Sequence, residues 1–162
     1  MRMRITGRQR LRRLIKSRRG AVLAEIAIVL PAMILLLGAA AELGRFFYIY
    51  TTLAKATRAG ARYLSSGPYK DKEGSTANMV VCGKVTDCGS ETIISGFDAN
   101  DVVISRDPED AAVPQTVTVG ISADFTYTPV FDLGRLMGGE PWVSLPLRPS
   151  TTMRYIPTTP FS

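Results

Sequence analysis

Residues 26–41 read IAIVLPAMILLLGAAA, without one charged or strongly polar side chain. Extending the run back to Ala21 adds five residues, one of them Glu25, and gives a segment of 21 residues. A helix needs about 20 apolar residues to cross a hydrocarbon core about 30 Å thick. Pro31 and Gly38 fit such a helix, because both residue types are tolerated better in membrane helices than in water-soluble ones. The run therefore reads as one membrane span near the N-terminus.

Charge fixes its expected direction. The chain carries 20 Lys+Arg and 14 Asp+Glu. Nine of the basic residues and none of the acidic ones lie in residues 1–20, so the other 142 residues hold 11 basic and 14 acidic side chains, a net of −3. A basic flank before an apolar span is retained in the cytoplasm. The reading is an inner-membrane, single-pass chain with a cytoplasmic N-terminus and a periplasmic C-terminal body. A nucleic-acid-binding tail is the other reading of a basic arm. No aromatic residue is interleaved with these arginines and an apolar span follows at once, so no nucleic-acid partner is expected.

The same pattern has two further readings. A basic region before an apolar region also describes a secretory signal peptide. Ala39-Ala40-Ala41 satisfies a small-x-small cleavage rule and would give a mature start at Glu42; Ser17-Arg18-Arg19 is a faint twin-arginine echo. A plain uncleaved anchor is the third. Glu25 is left unexplained by all three. A carboxylate in a span costs about 2.5–3.5 kcal/mol near the bilayer centre and less near the interface. It is either an interfacial residue close to the headgroups or a functional acid with a partner.

Much enzyme chemistry is excluded by composition. With no histidine and two cysteines, the chain cannot build a histidine-based triad, a histidine-ligated metal or a four-cysteine zinc site. GxSxG, P-loop and GxGxxG patterns are absent. Carboxylates such as Asp124 and Asp132 are the remaining route to an enzyme, and the acidic turn Asp107-Pro108-Glu109-Asp110 lacks the alternating ligand spacing of a calcium loop. No catalytic residue, cofactor or metal is expected. Cys82 and Cys88, in a body outside the cytoplasm, read as a disulfide closing a short loop.

Beyond the span, residues 42–64 contain no proline. Leu43, Phe47, Tyr50, Ala54, Thr57, Ala61 and Leu64 recur at spacings of three and four and predict an apolar seam. Lys55, Arg58 and Arg62 fall on another face. Residues 21–64 thus read as one helix, roughly 65 Å long, stopped by Ser65-Ser66-Gly67-Pro68. Phe46, Phe47, Tyr48 and Tyr50 fit an interfacial aromatic belt or core packing. Residues 116–127 alternate cleanly and predict a strand; residues 143–155 keep the same parity around a break at Pro149, and residues 102–106 are a shorter candidate. Residues 129–141 are expected to be a loop. The expected fold class is α+β: a long N-terminal transmembrane and stalk helix packed on a small antiparallel sheet. The expected divisions are a leader (1–20), the helix (21–64) and an extracytoplasmic domain (65–162).

One motif joins these parts. Arg18-Arg19-Gly20 precedes Ala21-Val22-Leu23-Ala24-Glu25, then Ile26-Ala27-Ile28-Val29-Leu30-Pro31. This resembles a type IV prepilin processing site, and more narrowly the TadE-like pseudopilins of tight-adherence (Tad) pilus systems. Glu42-Leu43-Gly44-Arg45, the run from Ala54 to Tyr63, and the ending around Thr151-Thr152-Met153-Arg154-Tyr155 resemble the family too. Many members carry an aromatic directly after the glutamate, where this chain has Ile26. The resemblance implies a minor pilin cleaved between Gly20 and Ala21 by a membrane prepilin peptidase. It implies other pilin and pseudopilin subunits and inner-membrane lipid as partners, and a role in priming, capping or adjusting pilus assembly for surface adhesion. It also implies a partner for Glu25: the α-amino group that cleavage creates at Ala21 of a neighbouring subunit. A secreted or signal-anchored single-domain binding protein is the alternative.

Overall fold

The computed structural model describes residues 18–68, 72–110, 113–131, 133–136, 138–140 and 144–157. Most of the basic leader, Asp132 and Val143 lie outside the described residues. The chain divides into two compact units, Met1–Glu42 and Leu43–Ser162.

Helix α1 spans Arg18–Ser65, 48 residues with Pro31 inside it. It is the single helix expected for residues 21–64, begun three residues earlier and ended one later. In the first unit, residues 21–41 are exposed throughout, apart from the half-buried Gly38. Ile28 is 77% and Leu36 72% exposed. Apolar side chains point outward around the whole circumference, so no stripe faces a core.

In the second unit, α1 obeys the opposite rule. Leu53, Thr57, Ala61 and Leu64 are buried, and Phe46, Ile49 and Ala56 pack against the same core. The observed seam therefore runs through Phe46, Ile49 and Leu53 before it reaches Thr57, Ala61 and Leu64. Leu43, Phe47 and Tyr50 of the expected seam are instead 56%, 55% and 42% exposed. At 3.6 residues per turn Phe47 lies about 80° around the helix from Thr57, on the side away from Leu53, and so falls off the core face.

The sheet has three antiparallel strands in the order β1–β2–β5: β1 Val102–Asp107, β2 Thr116–Ile121 and β5 Ser150–Arg154. In the register, Val103 faces Gly120, and Val117 faces Met153. Val117, Val119 and Ile121 of the central strand are buried, while Thr118 and Thr152 share a 2.8 Å hydrogen bond across the ladder. A two-stranded ribbon pairs β3 Thr126–Tyr127 with β4 Leu145–Pro146. The strand expected over residues 116–127 is thus two strands. Ser122 breaks it: its carbonyl accepts the Phe125 N–H, its hydroxyl accepts the Asp124 N–H, and Ala123 turns outward. Likewise, residues 143–155 yield β4 and β5 separated around Pro149.

Two helices in the body carry no periodic signal. The short α3, Leu133–Leu136, lies within the expected loop. The other, α2, spans Glu73–Cys82 with sequence EGSTANMVVC. Its Gly, Ser, Thr, Asn and Val residues are indifferent helix formers, so tertiary packing has to hold it. The packing centres on Gly60 of α1: a Cβ there would lie 2.5 Å from Val80 Cγ2 and 3.4 Å from Thr76 Cγ2. Absence of a side chain at Gly60 lets the two helices approach. Arg106 of β1 donates to Glu73 at 3.0 Å and ties the start of α2 to the sheet. Gly83, at φ 74°, ends α2 in the left-handed conformation, its N–H reaching the Met79 carbonyl. The end of α1 is tied to the C-terminal strand: the Ile156 N–H donates to the Ser65 carbonyl at 3.0 Å, and the Tyr155 hydroxyl donates to the Gly67 carbonyl.

Candidate functional site

The residues singled out by the processing motif lie in the first turns of α1. Gly20, Ala21 and Glu25 are all helical; Gly20 is half-buried, and Ala21 and Glu25 are exposed. Four residues separate Ala21 from Glu25, so they occupy one face of the helix, one turn apart. The apolar residues one turn from Glu25 on the helix surface are Val22, Ile28 and Val29, each exposed. Glu25 takes part in neither ion pair found among the described residues, Arg106–Glu73 and Lys84–Glu91. What the fold presents here is a bare apolar cylinder with one carboxylate near its start.

Among the described residues, α1 is the one helix long and apolar enough to cross a membrane, over Gly20–Ser65. Length and composition point to membrane anchoring. The aromatic cluster divides between packed and exposed positions. Phe46 packs edge-on against Tyr127 with ring centroids 5.5 Å apart, and Phe47, Tyr48 and Tyr50 are exposed.

The body offers two open depressions. The larger, about 700 Å³, is lined by Arg45, Ile49, Asp101, Asp124, Tyr127 and Leu147 among others. Asp124, one of the candidate carboxylates, thus lies near a second carboxylate. Both have local structural work. Asp101 accepts the Asp98 N–H at 3.0 Å, while Asp98 accepts the Asn100 N–H at 2.7 Å, closing a capping box before β1. Asp124 pairs with the Ser122 hydroxyl at 3.4 Å. Arg45 reaches over the Tyr127 ring at 5.8 Å. The second depression, about 600 Å³, is lined by Arg58, Arg62 and Tyr63 of α1 together with Met79 and Met153. Sequence reading placed Arg58 and Arg62 on one face and missed the groove, because Met79 belongs to the unforeseen α2.

Cys82 and Cys88 are joined by a disulfide with Cα atoms 5.8 Å apart. It pins the last residue of α2 to the following loop. In the acidic turn, the Arg106 guanidinium donates to the Glu109 carbonyl at 2.6 Å, and the Asp107 carbonyl accepts the Gln115 N–H at 2.7 Å. The backbone of the turn is held and its carboxylates face water. Among the described residues, no group of three Cys, Asp or Glu side chains is placed to hold a metal ion.

The family described as TadE-like protein matches residues 20–62. The match opens on Gly20 and closes at Arg62, so it covers the bare span and most of the packed part of α1. This is a pilus-associated structural family, and the match points to the Tad pilus systems. No curated protein and no solved structure matches the chain.

Proposed function

We propose that this chain is a pseudopilin or minor pilin of a Tad-type pilus. A membrane prepilin peptidase cuts between Gly20 and Ala21, and the mature helix then joins other pilin helices to prime, cap or adjust the fibre used for adhesion. The body lies on the periplasmic side and passes with the helix into the assembly.

The observation that carries this reading is Glu25, an exposed carboxylate on a cylinder with no covered face, inside a segment matched by the TadE-like family. Such an acid is costly in lipid and needs a partner. Cutting after Gly20 makes one: the new Ala21 ammonium, charged near neutral pH. A subunit's own ammonium and carboxylate start one helical turn apart. In a bundle, Glu25 of one subunit meets Ala21 of the next, and the pair is less costly than either charge alone. One contact then sets the axial register between neighbours. Glycine before the cut leaves the peptidase an unobstructed backbone. Cleavage also removes the basic leader, which would otherwise hold that end in the cytoplasm.

The signal-peptide alternative has one observation in its favour: the division between the compact units, after Glu42, falls one residue past a cut after Ala41. Mass spectrometry of the mature N-terminus from native membranes separates the readings. A start at Ala21, lost when the prepilin peptidase is deleted, is the expected result. A start at Glu42 makes this a secreted domain, and an intact Met1 makes it a plain anchor.

A further inference from the structure

Charge in the body is segregated between elements. The part of α1 in the second unit, residues 43–65, carries Arg45, Lys55, Arg58 and Arg62 and no acidic residue. Residues 66–162 carry twelve acidic side chains against seven basic ones. Yet both ion pairs among the described residues, Arg106–Glu73 and Lys84–Glu91, lie outside α1. Lys55, Arg58 and Arg62 are exposed on one face, and the latter two border the groove floored by Tyr63, Met79 and Met153. A cationic rim around a thioether and aromatic floor suits an acidic segment that also carries an apolar side chain.

The chain itself contains such a segment. Of its acidic residues, Asp98, Asp101 and Asp124 are committed to local hydrogen bonds. Asp107, Glu109 and Asp110 are exposed, and the hydrogen bonds of their turn use backbone carbonyls, leaving the carboxylates to solvent. Pro108 sits between them. The turn extends from β1, at one edge of the sheet, whereas Met153 of the groove is on β5, at the other edge. The turn therefore lies across the sheet from Met153.

We propose that the groove on α1, bordered by Arg58 and Arg62, receives the acidic turn at residues 107–110 of a second copy of this chain. The carboxylates of Asp107, Glu109 and Asp110 face Lys55, Arg58 and Arg62, and Pro108 lies on the apolar floor. The two halves are different surfaces, so the contact is head-to-tail and leaves one groove and one turn open at the ends of every row. It does not depend on how the N-terminus is processed.

The test is sedimentation of the full chain in non-ionic detergent at low and high salt. Self-association is expected to weaken about tenfold or more in the Arg58→Glu/Arg62→Glu variant, and equally in Glu109→Lys/Asp110→Lys. The quadruple variant, with both signs exchanged, is expected to recover it. High salt should mimic either reversal. Circular dichroism checks that each variant is folded; the turn variant changes only exposed side chains and keeps the test decisive if the helix variant unfolds. Association indifferent to both reversals, or a quadruple variant as weak as its parents, overturns the proposal. Flotation with phosphatidylglycerol vesicles that is lost in Arg58→Glu/Arg62→Glu, while self-association persists, overturns it in favour of a lipid surface.

Discussion

Helix α1 obeys two packing rules along one unbroken run of backbone. Before Leu43 its apolar side chains point in every direction and none is buried; after it, they are buried on one face and charged or exposed on the others. The second stretch uses the ordinary logic of a globular core, in which Leu53, Thr57, Ala61 and Leu64 are covered by β2, β5 and α2. The first stretch has no covered face in its own unit. Folding of the body and the proposed assembly through the helix would then rest on different residues of the same element, and substitutions should separate them.

The largest separation is expected from leucines. Leu53 is fully buried, and Leu53→Ala should cost about 2–5 kcal/mol of stability, read as a lower unfolding midpoint of the full chain in detergent. Leu36→Ala, at an equally apolar position of the bare stretch, should leave that midpoint unchanged. Equal losses would mean that the bare stretch is packed within the chain, and would abolish the distinction.

Glycines provide the next contrast. At Gly60 an added side chain meets Val80 and Thr76, whereas at Gly44 nothing lies within 4 Å. Gly60→Val should destabilise by about 1–3 kcal/mol through overpacking at the α1–α2 crossing. Gly44→Ala should be neutral or mildly stabilising, because alanine is the better helix former by about 1 kcal/mol. Reduction of the Cys82–Cys88 disulfide, which closes a loop of sequence separation 6, should cost about 2 kcal/mol and loosen α2 while leaving the bare stretch of α1 intact. Hydrogen exchange under reducing conditions reads both at once: amides of α2 and of the 83–88 loop should lose protection, with those of residues 26–41 unchanged.

How far sequence reached follows the same division. The long helix was legible because residues 26–41 leave an uncharged chain few other options and no proline lies between Pro31 and Pro68. Strand β1 was legible almost to the residue. By contrast, α2 was invisible: its own residues do not ask for a helix, and Gly60, some twenty positions earlier in the chain, makes room for it. The strand over residues 116–127 was read too long because its alternation continues through Ser122, whose hydrogen bonds to Phe125 and Asp124 form a turn that parity does not register. The seam of α1 was correct at Thr57, Ala61 and Leu64 and displaced toward the start of the body, where Phe46 and Ile49 rather than Phe47 and Tyr50 pack against the core. Gly20 and Glu25 were read from a motif, and the cut and the intermolecular partner proposed for them would leave little trace in one chain's own packing.

Two glutamates sharpen the comparison at its smallest scale. Glu25 and Glu91 are both exposed, one on the bare cylinder and one on the body beside Lys84. The Lys84 ammonium, through a hydrogen bond and its charge, holds the Glu91 carboxyl below the usual carboxylate range. A carboxyl depressed in the folded state adds stability above its unfolded pKa and loses it as pH falls through the folded one. Glu91→Gln should therefore lower the unfolding midpoint slightly at neutral pH, converge with the parent in acid, and fade in salt, because the pair is open to water. Glu25→Gln should leave that midpoint unchanged at every pH and instead prevent stable incorporation into the fibre, followed by recovery of the subunit in sheared pili. A body destabilised by Glu25→Gln, or a normal yield of that variant in pili, would show that the carboxylate serves the chain's own fold or nothing at all, and the division of labour along α1 would have to be drawn elsewhere.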